Sequence, residues 1–156
     1  MQIFLRQATK NDLPSVLRLY AQPDMDDGKI LNAADAERVF DRMGRYPNYR
    51  LYVAVTGQQI VGSFALLVMD NLAHQGTPSA IVEDVVVDSS HHGQGIGKFM
   101  MQHAIKIAQS EACYKLMLSS NIKRQRAHRF YESLGFERHG YSFRIDISCQ
   151  PDSEMF

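Results

Sequence analysis

Three glycines stand at alternate positions in the run His92-Gly93-Gln94-Gly95-Ile96-Gly97-Lys98, between an apolar stretch and an amphipathic one. Glycine accepts backbone angles that other residues avoid, so such a run turns sharply and lets its N–H groups approach a ligand. If a helix opens there, its first amides lack partners and lie at the positive end of the helix dipole, a natural seat for phosphate or pyrophosphate. Two familiar nucleotide loops do not fit. The dinucleotide fingerprint needs a third glycine, but Lys98, Phe99 and Met100 follow Gly95-Ile96-Gly97. A Walker loop needs a hydroxyl after Gly-Lys, and Phe99 occupies that place. On spacing alone, the run reads either as an anion seat or as a plain strand-to-helix turn. His91 and His92 are adjacent, and neighbours rarely present two ligands to one ion. With no third ligand in view, no metal is expected.

The elements that must position this run are legible from periodicity. Ser79 to Asp88 is almost continuously β-branched, as a central strand covered on both faces requires, and only the adjacent acids Glu83 and Asp84 interrupt it. After the glycines, Ile96, Met100, Ala104 and Ile107 mark one face of a helix ending near Ser110, and Tyr114 to Leu118 reads as the next strand. Upstream, Ile3 to Gln7 is a short strand, and Thr9 three residues before Asp12 resembles a capping box. The helix it opens carries Leu13, Val16, Leu17 and Tyr20 on one stripe. A turn-rich connection holding Asp24, Asp26 and Asp27 leads to a second helix over Ala33 to Met43. Leu51–Val55 and Ile60–Met69 then flank a tight hairpin at Thr56-Gly57-Gln58-Gln59. Downstream, a helix from about Arg124 to Leu134 stops at Gly135, Phe136 starts another edge, and Tyr141 to Ile147 alternates like a terminal strand. Gln150 to Phe156 has no pattern and is expected to fray.

At 156 residues, the chain is expected to form one domain with a single core. Seventeen basic and seventeen acidic residues cancel, which leaves no overall field to attract nucleic acid or anionic lipid, so any anion site must be local. No apolar run approaches the roughly 20 residues of a membrane span. Two cysteines, Cys113 and Cys149, are too few for a disulfide framework and read as free thiols, and the N-terminus lacks a signal-peptide core. Both point to the cytoplasm.

Taken together, Val85-Val86-Val87-Asp88, the glycine run, Asn121 and Arg126-Ala127-His128-Arg129-Phe130-Tyr131-Glu132-Ser133-Leu134-Gly135-Phe136 resemble the GNAT acetyltransferase superfamily over essentially the whole chain. The resemblance implies an α/β (α+β) fold: a mixed, mostly antiparallel sheet of six to seven strands flanked by about four helices and splayed beside the loop. It implies transfer of acetyl from acetyl-CoA to a primary amine in a ternary complex. By this resemblance the pantetheine arm lies against Val85, Val86 and Val87, the pyrophosphate on His92, Gly93, Gln94, Gly95, Ile96, Gly97 and Lys98, and Asn121 hydrogen-bonds the coenzyme. A backbone N–H near Val85 would polarise the thioester carbonyl. One departure is His92, which stands where the family usually has Arg or Gln.

An alkylamine titrates near pH 10.4, about the value of a free lysine, and attacks only as the free base, so the site needs a proton acceptor. Glu83 is the candidate: strict alternation puts it on the face of Val85 and turns Asp84 away unless a bulge intervenes. Asp84 is the secondary candidate, because Val82-Glu83-Asp84-Val85-Val86 is similar to the glucosamine-6-phosphate N-acetyltransferases, where this pair lies at the active site. Tyr131 matches the family's acid for the departing thiolate, although its position also suits a core aromatic. Asn121 equally suits an ordinary turn. The stretch from Leu118 to Tyr131 is similar to aminoalkylphosphonate N-acetyltransferases, which points to a small phosphorylated or phosphonylated amine, whereas the acidic connection favours a cationic acceptor. A protein lysine or N-terminal acetyltransferase and a non-catalytic acyl-CoA-binding module remain open. Family habit admits a homodimer that no residue marks.

Overall fold

Alternating apolar residues in the first half of the chain assemble an antiparallel sheet. A computed structural model describes residues 2–147, and the chain divides into two compact units, Met1–Ser120 and Asn121–Phe156. In the first unit, β1 (Ile3–Gln7), β2 (Tyr49–Thr56), β3 (Gln59–Met69) and β4 (Ser79–Val87) pair antiparallel in sequence order, and β5 (Leu116–Met117) joins β4 in parallel. Among the described residues the sheet is mostly antiparallel, as expected, but has five strands and not six to seven. The expected strand over Tyr114 to Leu118 shrinks to Leu116 and Met117. Neither Phe136 nor Tyr141 to Ile147 enters a strand. Alternation licenses a strand only where a neighbouring ladder takes up its backbone groups. Here Tyr141, Phe143, Ile145 and Ile147 keep 82–93% of their surface exposed.

Each face of the sheet carries helices. The Thr9 N–H and hydroxyl both donate to the Asp12 carboxylate, at 2.7 and 3.0 Å. Arg6 binds the same carboxylate at 2.6 and 2.8 Å, which anchors the 3-10 turn Lys10–Asp12 and the start of α1 (Leu13–Tyr20) to β1. Helix α1 buries Leu13, Val16 and Leu19; Leu19 takes the place that the sequence stripe assigned to Leu17, which is half-buried. Val16 and Leu19 pack on Leu51, Val53 and Val55 of β2, with Phe40 and Met43 of α2 (Ala33–Met43) closing the layer. On the other face α3 (Ile96–Ser110) buries Ile96, Met100, Met101, Ala104 and Ala108 against β3 and β4. A Cβ on Gly62 would stand 2.5 Å from Met100 Sδ and 3.1 Å from the Val86 carbonyl oxygen, so only glycine lets α3 approach β3 this closely.

In the second unit α4 (Gln125–Ser133) ends as the sequence indicates. Gly135 takes φ +91°, and the Phe136 N–H returns to the Tyr131 carbonyl at 3.1 Å. Among the described residues, no helix is long and apolar enough to cross a membrane. The expected fraying of Gln150 to Phe156 and the thiol of Cys149 lie outside the described residues, while Cys113 is a free thiol.

Candidate active site

Strand β4 carries the adjacent acids and leads into the glycine run. Its pairing with β5 is confined to Ala80 and Ile81, opposite Leu116 and Met117. Among the described residues, Val82 to Val87 have no ladder on that edge. The other edge contains a bulge. Glu83 lies opposite Ala65 and Val86 opposite Ser63, so both Asp84 and Val85 face the single residue Phe64. Asp84 takes φ +52°, a left-handed conformation that aspartate tolerates better than most residues. The bulge therefore changes the simple alternation: Glu83 shares a face with Val86, the face covered by α1, and not with Val85. Strain of this kind costs on the order of 1 kcal/mol and concentrates at sites where a backbone must be re-aimed.

The environment of the two acids favours their neutral forms. Partial burial, and then the neighbouring Asp84, push the Glu83 carboxyl above its ordinary range. Burial pushes Asp84 up as well, with a further contribution from Asp26 in the connection after α1. Tyr20, at the end of α1, has its phenol pushed up to about 12, chiefly by burial, and it also feels Asp84 and Asp26. Tyr49 is raised by burial and by both acids. Glu83, Asp84, Asp26, Tyr20 and Tyr49 are thus electrostatic neighbours. Carboxylates with raised pKa are better proton acceptors than free ones and suit an ammonium group. Sequence reasoning put Tyr20 only on an apolar stripe and missed Tyr49. Their hydroxyl ends carry no periodic signal that would separate them from core aromatics.

Beyond β4, Ser89–His91 forms a 3-10 turn capped by Asp88, whose carboxylate accepts from the Ser90 N–H at 2.9 Å and its hydroxyl at 2.6 Å. Gly93 and Gly95 take φ +77° and +82°, so two of the three glycines meet a conformational demand. The third, Gly97, lies in the first turn of α3, which begins at Ile96. The first helical bond runs from the Phe99 N–H to the Gly95 carbonyl at 2.9 Å. The N–H groups of Ile96, Gly97 and Lys98 have no acceptor among the described residues. Together with roughly half a positive charge from the helix dipole, they can receive an anion.

The His92 ring turns back, its Nε2 lying 3.1 Å from the Val87 carbonyl oxygen. Gln22, in the turn after α1, reaches the same segment: its Nε2 donates to the Val87 carbonyl at 3.3 Å, and its Oε1 accepts from the Ser89 N–H at 2.7 Å. Nothing in the sequence marked Gln22. His91 Nδ1 lies 2.9 Å from the Ser90 hydroxyl, and no group of three or more potential metal ligands occurs among the described residues.

In the second unit, the Asn121 Oδ1 accepts from the Lys123 N–H at 2.9 Å, and its carbonyl accepts from the Arg124 N–H at 2.9 Å. The carbonyl also meets His128 Nε2 at 2.9 Å, so Asn121 organises the entry to α4. Tyr131 packs on Phe130 and edge-on against Phe136, with ring centroids 5.1 and 5.8 Å apart. Burial raises its phenol pKa, and Arg124 opposes the rise only in part, so the hydroxyl keeps its proton at neutral pH.

Residues 13–136 match the Acetyltransferase (GNAT) family. The chain is 33% identical to a glucosamine 6-phosphate N-acetyltransferase of Trypanosoma brucei brucei, with 92% of this chain and 95% of the relative aligned. It is 30% identical to an aminoalkylphosphonate N-acetyltransferase of Salmonella typhimurium, over 89% and 88% of the two chains. Among solved structures, an acetyltransferase from Trypanosoma brucei superposes with a TM-score of 0.82 at 30% identity, covering 94% of this chain and all of the other.

Proposed function

Because the chain belongs to the GNAT family of acetyltransferases, we propose that it transfers acetyl from acetyl-CoA to the primary amine of a small molecule by direct attack, with residues 1–156 acting as one N-acetyltransferase domain. GNAT acetyltransferases use acetyl-CoA as donor. One observation carries the site: the edge of β4 from Val82 to Val87, free of β5, runs directly into the glycine-opened N-terminus of α3. An extended amide-bearing arm matches such an edge as an added strand would, and a pyrophosphate matches the amides of Ile96, Gly97 and Lys98, which have no acceptor among the described residues.

In this reading Val85, Val86 and Val87 receive the pantetheine. His92, Gly93, Gln94, Gly95, Ile96, Gly97 and Lys98 surround the pyrophosphate, and Asn121 contributes a further polar contact. Acetyl-CoA supplies an activated acetyl thioester. Glu83 takes a proton from the acceptor's ammonium group, directly or through one water, with Asp84 keeping that proton acceptor basic. As the nitrogen–carbon bond forms and the carbon–sulfur bond breaks, a backbone N–H near Val85 stabilises charge on the acetyl oxygen, Tyr131 gives its proton to the departing sulfur, and the surplus proton on the acetylated nitrogen returns to the tyrosinate, directly or through water. The acidic neighbours Glu83, Asp84 and Asp26 suit the ammonium end of the acceptor. The named relatives act on amines that also carry phosphate or phosphonate. A chain with two cysteines suits work in the reducing cytoplasm.

The test is acetyl-CoA-dependent thiol release with a panel of amino-sugar phosphates, aminoalkylphosphonates, polyamines and lysyl peptides. Saturable release with a phosphorylated or phosphonylated amine is expected. Tight acetyl-CoA binding with no release for any amine would replace catalysis by a binding module, and release only with peptides would move the acceptor to protein.

A further inference from the structure

We propose that Gln22 and His92 are positioning residues that brace the pyrophosphate loop through a shared acceptor, the Val87 carbonyl oxygen, an inference that rests on the coenzyme reading above. Val87 is the last residue of β4, and Ser89 opens the turn that leads to the glycines. The side-chain amide of Gln22 spans them as a peptide group would, donating to the Val87 carbonyl at 3.3 Å and accepting from the Ser89 N–H at 2.7 Å. Its Nε2 also meets the Leu19 carbonyl at 3.0 Å, which ties the clamp to the last turn of α1. His92 Nε2 closes on the same Val87 oxygen at 3.1 Å. Gly93 and Gly95 follow at once, both with positive φ and both exposed.

Glycines that permit this turn also permit many others, so an unbraced loop loses conformational freedom each time it closes on an anion. Gln22 and His92 fix the residues that lead into the first glycine and so reduce that loss. This also gives the departure at His92 a physical role. The imidazole reaches back to the Val87 carbonyl and holds the backbone that carries the donors. Gln22 has a second connection: its backbone carbonyl accepts from the Met25 and Asp27 N–H groups at 3.0 and 3.3 Å, in the turn that carries Asp26. One residue therefore anchors both the donor loop and the acidic connection after α1.

The experiment is calorimetric titration of acetyl-CoA into the full-length wild type, Gln22→Leu, Gln22→Glu, His92→Ala and the Gln22→Leu/His92→Ala pair, with steady-state kinetics for Gln22→Leu. Gln22→Glu preserves the shape and the Ser89 contact but removes the donor to Val87. We expect Kd to rise about five- to tenfold for each of Gln22→Leu and His92→Ala, the scale of one hydrogen bond, and at least as much for Gln22→Glu, whose carboxylate oxygen would face the Leu19 and Val87 carbonyl oxygens. Because the two braces share an oxygen, the double variant should fall short of the product of the single effects. For Gln22→Leu the loss should appear in the acetyl-CoA KM and not in kcat. Unchanged Kd in both single variants would overturn the brace while leaving the coenzyme reading intact. The same holds if Gln22→Leu loses kcat with an unchanged KM. A wild type that binds no acetyl-CoA would overturn both. His92 is exposed, so its variant folds and keeps the test decisive if Gln22→Leu does not.

Discussion

Replacing Gly62 with alanine should lift the N-terminal half of α3 from the sheet. The added Cβ would lie 2.5 Å from Met100 Sδ, 3.1 Å from the Val86 carbonyl oxygen and 3.5 Å from Ile96 Cγ2. Non-bonded heavy atoms settle at about 3.5–4.0 Å, so the sulfur must retreat by roughly 1 Å. The Val86 carbonyl belongs to a paired strand and cannot move aside. Met100 and Ile96 are 0% and 1% exposed, so no open space receives the displaced atoms and the strain passes to the helix backbone. Overpacking of this kind costs about 1–3 kcal/mol. For a chain of this size each kcal/mol lowers Tm by about 2–4 °C. The displaced amides are those of Ile96 to Lys98, so the acetyl-CoA KM should rise several-fold while the acceptor KM stays constant. Thermal unfolding and steady-state kinetics of Gly62→Ala read both effects. An unchanged Tm together with an unchanged acetyl-CoA KM would refute the view that this contact sets the position of α3.

Other expectations follow from the charges and rings. Arg6 and Thr9 lower the Asp12 pKa from 3.8 to about 2. That stability is present above the unfolded value and is lost as pH falls through the folded one, so Asp12→Asn should cost about 2 kcal/mol at pH 7 and only a small fraction of that near pH 2, as urea unfolding at both pH values will show. Asp84 has the opposite sign: its raised pKa penalises the folded state once the carboxyl ionises, so Asp84→Asn should raise Tm at pH 7 and leave it unchanged below the ordinary carboxylate range. Glu83→Gln should lower kcat/KM by about 10² or more and flatten the limb of its pH profile that lies above the usual carboxylate range; a retained limb would assign it to another group. Tyr131→Phe keeps the packing on Phe130 and Phe136, so Tm should hold while kcat falls by about 10²; wild-type kcat across pH would remove Tyr131 as the acid.

Much of this arrangement was legible in the sequence, for reasons that individual residues make clear. Ala33–Met43 and Ile3–Gln7 emerge with the expected bounds because their periods are regular and turn residues flank them. Gly93 and Gly95 could be read because positive φ selects glycine. The bulge at Asp84 could not: an aspartate in a β-branched run signals a break, but which neighbour it re-aims depends on the register with Phe64. Gln22 was invisible for a related reason. A carboxamide in a turn carries no pattern, and its partners Val87 and Ser89 are brought to it only by the packing of α1 on the sheet. Tyr141 to Ile147 shows the converse, a clear alternation whose outcome depends on a partner strand that local sequence does not specify.

Amide hydrogen exchange with and without acetyl-CoA tests the placement of the donor most directly. Protection should rise at the free edge of β4 from Val82 to Val87 and at Ile96, Gly97 and Lys98, with β1 and β2 unaffected. Saturating acetyl-CoA that leaves those amides exchanging as before, or that protects a different surface, would contradict the account.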